Sequence, residues 1–78
     1  MDLIPSERAV LKIIRVMTME SASPTHPVTL LRSRWPALHS DAYSGGYAGL
    51  VRRGLVKPST DGRVFSVTPA GLQAMKSA

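Results

Sequence analysis

The sequence predicts a mainly helical α+β domain in the order helix, helix, helix, hairpin, helix. Three observations carry that prediction. Apolar residues recur at helical period in two separate stretches, residues 10–17 and 43–51. Prolines and small polar residues break the chain at residues 20–27 and again at Pro36. An Asp61-Gly62 turn separates two short apolar runs, a strong local hairpin signal. With 78 residues the chain is read as one domain, 1–78. A domain of this size buries only about 60–65% of its unfolded surface, so its core must be economical.

The first helix is expected over residues 6–19, with Leu3 and Ile4 packing back on the core. Ser6 is its expected N-cap, and Glu7 suits the positive end of the helix dipole. Val10, Leu11, Ile13, Ile14, Val16 and Met17 form a band wider than a one-sided surface helix needs. Arg8, Lys12 and Arg15 leave one narrow basic stripe for water. The band suits the central helix of a small core; alternatively, one edge of it meets a second subunit.

Residues 20–27 read as a loop, with a strand before the second helix weak or absent. That helix is expected over residues 28–35, with Val28, Leu31 and Trp35 on one face and Pro36 as its stop. Residues 37–39 form a turn in which Leu38 points inward between two helices. Ser40 or Asp41 caps the third helix, residues 41–53, whose apolar stripe is Tyr43, Tyr47, Leu50 and Val51. Arg52 and Arg53 oppose the negative end of its dipole, and Gly54 supplies the left-handed stop. The hairpin spans residues 55–67, with Ser59-Thr60-Asp61-Gly62 as its turn. Thr68 and Pro69 then open a last helix over residues 69–76, with Leu72 and Met75 set to dock on the first helix.

Composition narrows the function. The chain has no cysteine, so disulfides and thiolate zinc sites are excluded. No apolar run is long enough to span a membrane, and the first residues lack the order of a signal peptide. A cytoplasmic location is the expectation. Ten Lys and Arg against five Asp and Glu give a net charge of +5, a bias toward polyanions or acidic protein surfaces. Between residues 21 and 60 the only acid is Asp41, while Arg32, Arg34, Arg52, Arg53 and Lys57 are basic.

Catalysis is not expected. His26 and His39 fall in separate loops without a second ligand at metal spacing. Ser44-Gly45-Gly46 lacks both the preceding strand and the Lys-Ser/Thr of a phosphate loop. Five scattered acids form no evident carboxylate pair. No catalytic residue, metal ligand or cofactor is assigned, and no ligand pocket is evident.

The run LVRRGLV, a turn containing DGR, and FSVTPAGL together resemble the winged helix-turn-helix domains of bacterial regulators of the MarR and PadR type. The resemblance covers the chain from residue 28 onward and implies a bacterial or phage regulator that binds double-stranded DNA. It places the outward face of the third helix in the major groove, through Ser40, Asp41, Ser44, Gly45, Ala48 and Arg52. It sets Thr29 and Arg32 on the DNA backbone, Arg63 at the wing tip near the minor groove, and Lys57 on a phosphate. It also implies a homodimer through the first or the last helix.

One feature sits poorly with a base-reading helix. Gly45, Gly46 and Gly49 offer no side chain to a base, and each interior glycine costs roughly 0.8–1 kcal/mol relative to alanine. Such residues permit close backbone approach, to DNA or to protein. The rival reading is therefore a protein–protein module, an adaptor or a phage-type inhibitor, built on the same fold. Bland roles also stand for several residues: dipole complement for Arg53, cap for Ser40, and core for Trp35, Tyr43 and Tyr47.

Overall fold

A computed structural model describes the backbone of residues 2–77 and the side chains of residues 2–76; Met1 and Ala78, the ends of the expected domain, lie outside them. The order is α1 (Pro5–Glu20), β1 (Thr25–Pro27), α2 (Val28–Ser33), a 3-10 turn (Ala37–His39), α3 (Ser40–Arg52), β2 (Val56–Pro58), β3 (Val64–Val67) and α4 (Pro69–Ser77). The chain is thus mainly helical with a small antiparallel sheet, the α+β class expected.

α1 is the central element. Val10, Leu11, Ile14 and Met17 are buried along one side of it, against Leu31, Leu50 and Phe65 among others. Its N-cap is Ile4 rather than Ser6, because Pro5 takes the first helical position. The Glu7 carboxylate reaches back to accept the Ile4 N–H at 3.0 Å, so the helix end is closed without a serine cap. Val16, one edge of the broad apolar band, stays 47% exposed; Leu3 packs on the core as expected, but Ile4, expected to do the same, is 52% exposed.

α3 crosses α1 at close range. A Cβ on Gly46 would strike the Ser6 carbonyl, and one on Gly49 would strike the Glu7 carboxylate. Two of the three helix glycines are therefore spacers between α1 and α3. Gly45 faces open space. The end of α3 is closed as expected by Gly54 at φ 75°. Leu55 N–H donates to Leu50 O and Gly54 N–H to Val51 O, each at 3.0 Å, which satisfies the last carbonyls.

A third strand corrects the expectation of a plain loop at residues 20–27. β1 pairs with β3, whose other edge pairs with β2, giving the antiparallel order β1-β3-β2. His26 lies opposite Phe65 and is a buried strand residue, not a loop residue. Both edge strands end in proline, at Pro27 and Pro58, which limits further pairing. The hairpin turn is braced by Asp61, whose Oδ1 accepts from the Ser59 hydroxyl at 2.6 Å and the Arg63 N–H at 3.1 Å. Gly62 takes φ 72° there.

Three further expectations are corrected. α2 ends at Ser33, and Trp35 packs beyond it against the core, 6.3 Å from the Tyr43 ring. Leu38, expected to point inward, instead stands 93% exposed in the 3-10 turn. On α4 Met75 is buried as expected, but Leu72 remains 45% exposed. Thr68 does cap α4: its Oγ1 accepts the Gly71 N–H at 3.1 Å and donates to Gly54 O at 2.6 Å. Among the described residues no helix is long and apolar enough to cross a membrane.

Candidate functional site

At 100° per residue, α3 divides cleanly. Gly46, Gly49 and Leu50 are buried on one side, with Tyr43, Tyr47 and Val51 half-buried beside them. Asp41, Ser44, Gly45, Ala48 and Arg52 are exposed together on the other side. Ser40 is exposed in the first turn, but it caps nothing: the N-cap is His39, without a side-chain bond to the helix end. Neither Ser40 nor Asp41 was therefore correctly assigned as the cap. Both hydroxyls of this face, Ser40 and Ser44, are without side-chain hydrogen bonds among the described residues.

The remaining residues of the sequence-derived site lie on neighbouring elements. Thr29 and Arg32 are exposed on α2, and Lys57 is exposed at the middle of β2. Arg63 stands at the start of β3's side of the turn with its side chain 86% exposed, 3.9 Å from Asp61 Oδ2. The Ser59 hydroxyl and the Arg63 N–H hold the Asp61 carboxyl below its ordinary value. The turn therefore carries an ionised Asp61 that fixes the backbone on which Arg63 projects.

The acids are largely spent elsewhere. Glu7 pairs with Arg53 at 3.0 Å, Glu20 with Arg34 at 2.7 Å, and Asp61 loosely with Arg63. Among the described residues Arg32, Arg52 and Lys57 have no acidic partner, and Asp41 has no basic one. Arg53, though exposed, is committed to α1: it bridges to Glu7 rather than merely complementing the helix dipole. Tyr47 packs edge-on to Phe65 at 5.8 Å, and burial pushes its hydroxyl above the ordinary phenol value. Its place beside the core fits the structural role read from the stripe.

Two features escaped the sequence. Leu38 projects into water one turn before α3, where a buried side chain was expected. His26 is enclosed between α1 and the sheet, its ring 5.5 Å from Phe65 and its Nε2 3.4 Å from Thr18 Oγ1. The only sequence signal for that burial is the Thr-His-Pro step directly before α2. The chain matches no family model, no curated protein and no solved structure.

Proposed function

We propose that this chain is a winged helix-turn-helix protein that binds double-stranded DNA sequence-specifically and regulates transcription as a dimer. One observation carries the reading: α3 is clamped on one side by α1 through Gly46, Gly49 and Leu50, while Asp41, Ser44, Gly45, Ala48 and Arg52 stand free on the other. A helix supported from behind, with a narrow free face, suits insertion in a major groove. In this reading Ser44 meets a base or phosphate, Asp41 accepts from a cytosine amino group, and Arg52 meets a phosphate. Thr29, Arg32 and Lys57 add backbone contacts, and Arg63 is the wing's minor-groove residue. The spare apolar edges of α1 and α4, at Ile4, Val16 and Leu72, support a subunit contact there.

Occupying a site in this way blocks or recruits polymerase. The test is selection from a random duplex library at low and at physiological salt. Enrichment of one sequence with a two-fold repeat, persisting at physiological salt, supports a dimeric regulator. Sequence-blind binding that vanishes at physiological salt overturns it.

A specific observation also favours the rival, a protein–protein module. Gly45 and Ala48 bring no polar side chain to the exposed face, and Leu38 stands 93% exposed just before α3. An apolar side chain on a small-residue surface suits a protein partner. Loss of DNA selection together with Leu38-dependent capture of a defined partner distinguishes this reading.

A further inference from the structure

A cleft of about 480 Å³ opens between the end of α1, β1 and α2, on elements other than the proposed DNA-reading helix. Its volume lies within the range of small-molecule sites. Met17, Pro27, Leu30 and Val64 give it an apolar lining, and Glu20 and Arg34 stand at it as an ion pair of 2.7 Å. His26 lines the same cleft although only 4% of the residue is exposed.

The hydrogen bonds around that ring favour one tautomer. Thr18 Oγ1 donates its single proton to the Ile14 carbonyl at 2.9 Å. With that proton spent, the same oxygen, 3.4 Å from His26 Nε2, suits the tautomer that carries its proton on Nε2. Nδ1 is left as an acceptor with no donor among the described residues. Nδ1 is not sealed from solvent, since the buried side-chain atoms without a partner among the described residues are Trp35 Nε1 and Tyr47 Oη. The cleft that His26 lines is where a donor has room.

Two more features favour a cationic donor. The Glu20 carboxylate is 53% exposed, and α1 ends at Glu20, bringing the negative end of its dipole to the same place. Arg34 spends one terminal nitrogen on Glu20, and its other N–H groups remain able to take a carboxylate. A ligand carrying both charges would satisfy each half of this ion pair while covering the apolar lining.

We propose that this cleft binds a small zwitterion with an apolar body, the chemistry of an aliphatic α-amino acid. Its ammonium meets Glu20 and His26 Nδ1, its carboxylate meets Arg34, and its side chain lies over Leu30, Pro27 and Val64.

The test is an NMR titration of the wild-type protein with L-leucine and, separately, with its two halves, isocaproate and isoamylamine. The expected result is a saturable shift of the His26 ring and Leu30 methyl resonances by leucine, with each half binding at least about tenfold more weakly. Glu20→Gln should weaken leucine and isoamylamine but spare isocaproate; Arg34→Gln should do the converse. The proposal is overturned by no saturable shift in the millimolar range, by a half-ligand that binds as tightly as leucine, or by shifts centred away from His26. None of these readouts uses DNA, so failure here is separate from failure of the DNA-binding reading.

Discussion

Glu7 and Arg53, 46 positions apart, are joined by Arg53 Nε at 3.0 Å from both carboxylate oxygens. The contact ties the first turn of α1 to the C-cap residue of α3, over the gap that Gly49 leaves for the carboxylate. Glu7 is 3% exposed and also accepts the Ile4 N–H, so one side chain closes a helix end and fixes a helix crossing. The orientation of α3's exposed face depends on this joint.

Acid sensitivity follows from it. The Arg53 hydrogen bond holds the Glu7 carboxyl below its ordinary value of 4.5, although burial acts in the opposite direction. A depressed folded pKa contributes stability above the unfolded value, and that stability is lost as pH falls through the folded value. Glu7→Gln should cost about 1–3 kcal/mol at neutral pH, an amount read from urea melts. The gap between wild type and variant should close as pH drops below the folded pKa of Glu7. A pH-independent gap would show that the carboxylate's charge contributes nothing. Asp61 titrates in the same direction, and the variant comparison separates it from Glu7.

The three glycines of α3 should behave in opposite ways. Gly46→Ala forces the helices apart, because the new Cβ meets the Ser6 carbonyl, and Gly49→Ala displaces the Glu7 side chain and with it the Arg53 bridge. Each should destabilise by about 1–3 kcal/mol, as overpacking does. Gly45→Ala meets nothing and should stabilise by about 0.5–1 kcal/mol through helix propensity. Thermal melts of the three variants check the order. Equal effects at all three positions would contradict the α1–α3 spacing described above.

Leu38→Ser should leave stability unchanged to within about 0.5 kcal/mol, since the side chain is 93% exposed. Denaturant melts test this directly. A large loss would mean that Leu38 packs inward in solution, as the sequence suggested.

How much of this was readable in advance follows interaction range. The helix stop at Gly54, the Thr68 cap and the Asp61-Gly62 turn are settled within a few residues, and the sequence displays them. The exposed face of α3 was legible from the period of Tyr43, Tyr47 and Leu50. β1 was not, because three residues ending in proline show no alternation and become a strand only by pairing with β3. Leu38 was misplaced because one apolar residue in a three-residue turn shows no period, whereas Trp35, just before Pro36, does pack against the core beside Tyr43. The Glu7–Arg53 bridge and the enclosure of His26 need elements far apart in sequence, and neither residue type announces a distant partner.

The proposed DNA binding by the α3 face and the hairpin tip is most directly tested by the salt dependence of affinity. Wild type, Arg52→Ala, Arg63→Ala and the double variant should be titrated with a selected duplex over a series of salt concentrations. Each single variant should bind more weakly and lower the log–log salt slope by about one, the signature of one lost phosphate contact. Unchanged affinity and slope in the double variant would contradict DNA binding through these residues.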